Sequence, residues 1–346
     1  MQSPARASSI AAMSLVVVVV ATTVLAQRSA TPNTQADATA RIVAAAQAVV
    51  ATLDEAGRAT VQFPFDGPQK ARWSNLPSPM FQRTGLRMAD LTPAQRASVM
   101  ALLRAALSQD GYRKVGEIMR GDEVLRKTQG SGGRGPAFGE DQYYVAFVGT
   151  PSATTPWMLQ FGGHHLAINL TMGGSQATMA PSLPAAQPAS YTVEGRTVRP
   201  LGKENDKAFA LINALDAGQR SQAILNSRVA DLVLGPGQDG RTIQPEGIRA
   251  SALSAAQQTM LWELVREWSG IMTDAFAEPR MAEIRSNLRD TYFAWSGPTT
   301  NGSAAYFRVQ GPTLVIEYAP QNNSVDHIHT IYRDPTNDYG AKFALH

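Results

Sequence analysis

Four of the five histidines in this sequence stand in two pairs, His164 with His165 and His327 with His329, and the fifth, His346, ends the chain. Imidazoles ligate transition metals and carry protons near neutral pH, so paired histidines are where chemistry would sit. Residues two apart on a strand point to one face, so His327 and His329 present their rings together. His164 and His165 are adjacent and face opposite ways unless Gly162 and Gly163 bulge the strand, so one of them is expected to join the other pair. Three imidazoles with an open position suit a divalent transition metal, zinc or copper first, with nickel or iron also fitting. Such an ion would lower the pKa of a bound water or polarise a substrate oxygen. A shared shell requires His164 or His165 within roughly 10 Å of His329, because metal–nitrogen bonds are near 2 Å.

Three further residues are candidates for the chemistry around the ion. Glu317 lies inside an apolar strand, where an acid is costly unless paired, and it could orient an imidazole or act as a base. Arg333 follows the second histidine pair and could clamp an anionic substrate, with Asp334 or Asp338 as base or oxygen ligand. The run Arg333-Asp-Pro-Thr-Asn-Asp338 also has the composition of a tight turn, whose side-chain oxygens bond nearby backbone amides. Farther back, Arg199, Lys203, Glu204, Asn205 and Asp206 precede a helix that Asn205 or Asp206 would cap.

The elements that must position these residues read as two similar halves. Gly85, Arg87, Leu91, Ala94 and Gln95 find identical residues at Gly247, Arg249, Leu253, Ala256 and Gln257, and Leu53, Asp54 and Arg58 fall on Leu215, Asp216 and Arg220 at the same spacing. Thr92 to Gln95 and Ser254 to Gln257 are both capping boxes, with Pro93 at a first-turn position, and they open helices over 93–107 and 255–272. Helices are also expected over 41–53 and 206–215. Asp141, Tyr143 and Tyr144 align with Asp290, Tyr292 and Phe293, and strands follow over 157–161 and 166–170, then 306–309 and 314–318. In that alignment His164 and His165 fall on Pro312 and Thr313, so the scaffold forms without histidine there and a specialised use in one half is favoured. The expectation is a single α+β domain over 41–346 with internal pseudo-two-fold duplication. Its halves are about 41–174 and 203–325, a β-rich insertion covers 175–202, and one antiparallel sheet is flanked by helices.

Composition narrows the setting. The chain has 346 residues, no cysteine and a formal charge of +3 spread along its length, so thiol chemistry is excluded and no basic stripe for nucleic acid exists. Arg6 precedes an apolar run with five consecutive valines, Val16 to Val20, and Val24 and Ala26 suit signal peptidase. A signal peptide over 1–26, a flexible lead-in over 27–40 and an exported, periplasmic or secreted protein with no membrane association after cleavage follow. The G-x-G-x-x-G runs at Gly130–Gly135 and Gly235–Gly240 lack a following helix, and no P-loop, H-E-x-x-H or G-x-S-x-G occurs.

Four stretches resemble a known family: Phe161-Gly-Gly-His-His-Leu-Ala-Ile-Asn169, Pro181 to Pro188, Arg199 to Asp206 and His327 to Gly340. In that order they are similar to the uncharacterised family catalogued as domain of unknown function 3500, over nearly the whole chain from Arg41. The resemblance implies a single exported domain and draws attention to the same histidine motifs; it implies no mechanism. The reading is a metal-dependent exported enzyme, hydrolytic, acting on a small molecule or peptide. Its ligands would be His327, His329 and either His164 or His165. The alternative is a ligand- or metal-binding module without turnover.

Overall fold

The computed structural model describes residues 34–130 and 135–343. The expected signal segment, His346 and most of the first glycine-rich run lie outside the described residues. Eight helices are present among them: α1 (Gln35–Ala51), α2 (Glu55–Val61), α3 (Pro93–Ala106), α4 (Gln109–Gln129), α5 (Gly202–Ala214), α6 (Ala217–Ala223), α7 (Ala255–Ser269) and α8 (Asp274–Ser286). The strands are β1 (Gln62–Phe63), β2 (Leu86–Arg87), β3 (Tyr144–Val148), β4 (Trp157–Gly163), β5 (Leu166–Gly173), β6 (Gln176–Thr178), β7 (Leu183–Pro184), β8 (Tyr191–Val193), β9 (Arg196–Val198), β10 (Ile248–Arg249), β11 (Tyr292–Ser296), β12 (Tyr306–Gly311), β13 (Leu314–Pro320) and β14 (Ile328–Arg333). The fold is α+β.

The capping boxes start helices where expected. Thr92 and Ser254 each accept from the backbone N–H three residues on, and Gln95 and Gln257 accept in return. A third box corrects the lead-in: Thr34 and Asp37 cap α1, which begins at Gln35 rather than Arg41 because Ala38 already belongs to the stripe Ala38, Ile42, Ala46 and Val49 buried against the core. The start of α5 is also corrected. The helix begins at Gly202, so Asn205 and Asp206 lie inside its first turns and bond Arg199 rather than cap.

Instead of one sheet the strands form two large, mainly antiparallel sheets and a separate two-stranded β8–β9 ribbon. The first runs β1-β3-β4-β5-β6, with β2 on β3, β7 on β5 and only the β1–β3 contact parallel; the second runs β10-β11-β12-β13-β14. The Pro-rich segment 182–186 stitches them edge to edge. On one side β7 pairs with β5, and on the other Ser182 and Ala186 exchange backbone hydrogen bonds of 2.9 to 3.0 Å with Tyr332 and Ile328. Helices pack on one face, where Leu166, Ile168 and Leu170 join one apolar cluster and Ile316, Tyr318, Ile328 and Tyr332 another. Irregular segments over 64–84 and 225–247 contact the opposite face: Gln69 bonds Gln160, and Ile243 accepts from Gln310. Functional side chains commonly sit on such loops over a rigid scaffold.

The elements from α1 to β5 and from α5 to β13 come in a similar order, except that β1 has no counterpart strand in the second set, and one pair of glycines is placed alike in both. Gly85 has φ +97° and Gly247 φ +93°, and a Cβ on either would stand 2.4 or 2.2 Å from the carbonyl oxygen of Val145 or Phe293. The expected alignment of Tyr144 with Phe293 therefore shifts by one residue. Leu86 faces Val145 and Ile248 faces Phe293, and a one-residue slip would turn every side chain to the other face. Gly247→Ala is expected to lower stability by about 2 kcal/mol or more in chemical denaturation, since the backbone can relieve neither the contact nor the left-handed φ. An unchanged midpoint would contradict this.

Candidate metal centre

The site forms at the seam between the sheets. β4 and β5 are joined by the two-residue turn His164-His165, because Gly163 pairs with Leu166. A side chain at Gly163 would meet the Tyr143 ring at 2.9 Å, and one at Gly162 the Leu166 carbonyl at 2.5 Å, so both positions require glycine. His165 takes φ +61°, a conformation normally left to glycine or asparagine at this turn position, whereas neither Pro312 nor Thr313 in the β12–β13 turn has positive φ. Local strain held in place by the surrounding structure is a mark of functional sites. It swings the His165 ring toward β14, where His329 points to the same face as His327.

His165 Nε2 lies 2.9 Å from His327 Nε2, and His329 Nε2 lies 3.1 Å from the same nitrogen. The His165 and His329 ring centroids are 5.8 Å apart, well inside the distance a shared shell requires. His165 is fully buried, His329 is 3 % exposed, and His327 is half-buried at the rim. Asp231 Oδ1 is 2.9 Å from His329 Nδ1, and the Asn75 amide is 3.2 Å from His329 Nε2. Burial, then the neighbouring His329 and His164, hold His327 down to about 4, and burial with the same crowding pushes His165 well below the ordinary imidazole range. Both rings are neutral at neutral pH, the form that ligates. Asp231 feels burial pushing it up, but the hydrogen bond and charge of His329 outweigh this and hold its carboxyl below the usual value.

A second group adjoins the first. His164 Nδ1 is 3.0 Å from Asp122 Oδ1, and its ring packs against His165 at a 35° tilt with centroids 3.4 Å apart. Tyr143 Oη lies 2.7 Å from Asp122 Oδ2 and 2.9 Å from the His164 carbonyl. Burial pushes the Asp122 carboxyl up against the pull of His164 and Tyr143. His165 Nδ1 sits 3.3 Å from Asp122 Oδ1, yet this buried nitrogen has no aligned hydrogen-bond partner. Arg83 locks the turn from outside by donating to the carbonyls of Gly163, Ser74 and Leu76 at 2.6 to 2.8 Å.

Glu317 and Arg333 bond a neighbouring loop, and Asp334 takes the tight-turn role that the composition of its run allowed. Glu317 shares the histidine face but is fully buried, and it accepts from Tyr306 Oη at 2.6 Å and from the backbone N–H groups of Val233 and Leu234 at 3.0 and 2.7 Å. Arg333 donates to the carbonyls of Leu234 and Gly235 and pairs with Asp239 and Asp338. Both therefore anchor the loop that carries Asp231. Asp334 bonds Thr336 and pairs with Arg280, the tight-turn arrangement. A cavity of about 30 Å³ beside the seam, large enough for one or two waters, is lined by Gln69, Arg83, Gln160 and Asn169 and by no histidine. The ring nitrogens, rather than this cavity, define the site.

Sequence reasoning missed Asp122, Asp231 and Asn75. Asp122 carried a signal, because it continues the buried stripe Gly111, Val115, Ile118 and Leu125 of α4, where an acid needs a partner. Asp231 and Asn75 stand on irregular segments with no periodicity to mark them.

A buried polyhistidine cluster with flanking carboxylates, set where two antiparallel sheets are stitched together, defines the class of site. The chain belongs to the family described as a protein of unknown function, DUF3500, whose model matches residues 35–341. No curated protein and no solved structure matches it. Among the described residues, no helix is long and apolar enough to cross a membrane.

Proposed function

We propose that the protein is an exported metalloprotein holding a divalent transition metal, zinc or copper, on His165, His327 and His329, and that this centre is hydrolytic. One observation carries the reading: the His327 Nε2 nitrogen has two other Nε2 nitrogens within 3.1 Å. A neutral imidazole nitrogen has one in-plane lone pair or one N–H, so it can serve only one of these neighbours. The Asp231 carboxylate favours N–H at His329 Nδ1 and leaves that ring's Nε2 lone pair aimed inward. Co-ligands of one ion with bonds near 2.0–2.1 Å sit about 3.3 Å apart, close to the separations found here, and a cation satisfies all three lone pairs at once.

The chemistry follows from the open fourth position. Two ligands are buried and the third, His327, reaches the rim, so a water or substrate oxygen approaches from that side. Held by these three imidazoles, an ion would supply a water of lowered pKa or polarise a scissile carbonyl or phosphoryl oxygen. Asp231 holds the His329 tautomer, and Asn75 presents its amide nitrogen beside His329 Nε2, where it offers a hydrogen-bond donor next to the ion. Burial of His165 and His329 favours a second reading, a metal-binding module without turnover.

The test is metal content of protein purified without a histidine tag, together with hydrolysis of ester, phosphate and peptide substrates as occupancy is varied. Turnover that rises with bound metal supports the hydrolytic reading. Full occupancy without turnover on any substrate leaves the binding module, and substoichiometric metal throughout overturns the centre itself. Asp231→Asn is expected to weaken metal binding about 10–100-fold in a chelator competition while the fold is kept; unchanged affinity would remove Asp231 from the site. Export rests on the signal-like segment before Gln27, and N-terminal sequencing of extracytoplasmic protein should find a start near Gln27.

A further inference from the structure

We infer that His165 bridges two metal ions, the one already described on its Nε2 and a second on its Nδ1, with His164 and Asp122 completing the second set. The inference rests on the three-histidine centre being real and adds an ion that the centre does not need. If Nε2 of His165 ligates the first ion, Nδ1 must either carry a proton or bind something else. A proton there would be buried in a fully covered residue with no aligned acceptor, a costly state.

The surroundings fit a ligand better than a hydrogen bond. Asp122 Oδ1 stands 3.3 Å from His165 Nδ1 and 3.0 Å from His164 Nδ1, off the axis a hydrogen bond from His165 would need. Those separations are near the roughly 3.3 Å edge between ligands of one tetrahedral ion. The ligand atoms of Asp122, His164 and His165 all lie within 4.8 Å of one another, and so do those of His165, His327 and His329. His165 is common to both sets, and its two ring nitrogens face opposite ways. The left-handed turn that places the ring between α4 and β14 gives each nitrogen its own set. Tyr143 Oη, at 2.7 Å from the other Asp122 oxygen, leaves Oδ1 to the ion. When the second ion binds, the proton on His165 Nδ1 leaves to solvent and the ring becomes an imidazolate bridge.

The test is titration of the untagged, metal-stripped chain with copper(II), followed by electron paramagnetic resonance. Two ions per chain are expected, with the single-copper signal growing to one equivalent and then falling as the two spins couple through the ring. His164→Ala should reduce the stoichiometry from two to one and restore an uncoupled signal at saturation; Asp122→Asn is the second variant should the first not fold. One ion per chain with an undiminished single-copper signal would overturn the bridge while leaving the three-histidine centre standing. No binding at all would overturn both, and two ions retained in both variants would place the second ion elsewhere.

Discussion

His327→Ala and His329→Ala, made together, are expected to leave a folded protein that retains no transition metal through purification, where the parent chain retains at least one ion. Each removes a ligand, so the affinity loss should exceed the roughly 100-fold at the upper end for losing a residue that merely orients a ligand. The fold should survive. His327 is half-buried at the rim, while β14 is held by backbone pairing with β13 on one side and with the segment 182–186 on the other. Mass spectrometric metal content and a far-UV circular dichroism spectrum on the same samples check both halves of this expectation. Metal retained in the folded double variant would contradict the assignment.

The second large effect lies away from the site. Lys114 on α4 pairs with Glu204 on α5 and donates to the Glu267 carbonyl at 3.0 Å, and both charged side chains are buried. Lys114→Met removes one partner and leaves an uncompensated buried carboxylate, which typically costs about 3–5 kcal/mol. Lys114→Met with Glu204→Leu should recover most of the loss, because an apolar pair of similar volume is often neutral or better. The pH dependence has a definite sign. Burial raises the Glu204 carboxyl above its unfolded value even beside Lys114, and removing the cation raises it further. The folded form then holds a proton that the unfolded chain releases, so stability falls as pH rises above the unfolded glutamate value. The deficit of the single variant should be full at neutral pH and shrink as pH falls toward about 4, near the unfolded glutamate pKa. Denaturant midpoints at both pH values would show it, and a deficit independent of pH would contradict it.

Much of the scaffold was legible because local chemistry marks it. Capping boxes at Thr92 and Ser254 set helix starts, and apolar strands ending in glycine pairs or Pro-Thr set the hairpins. The stitching of the sheets was not legible. Segment 182–186 falls inside the expected β-rich insertion, but Pro184 cannot donate and nothing in the segment names its partners on either side. The site divides the same way. The histidine pairs announce themselves by type and spacing, and adjacency, unless Gly162 and Gly163 bulged the strand, left one of His164 and His165 to join the other pair. Choosing His165 needed the turn geometry, with its single left-handed residue. Glu317 and Arg333 were recognised as unusual because they are charged groups in an apolar strand and next to a turn. Their bonds to the 233–235 backbone show that the oddity belongs to holding a loop. Asp231 enters only through that loop, across about a hundred residues of sequence from His329.

The most direct measurement is the X-ray absorption spectrum of the metal in untagged protein. The three-histidine centre predicts about three nitrogen scatterers at roughly 2.0–2.1 Å, with the outer-shell pattern of imidazole rings. An oxygen-only shell, or protein without a metal edge, would contradict it.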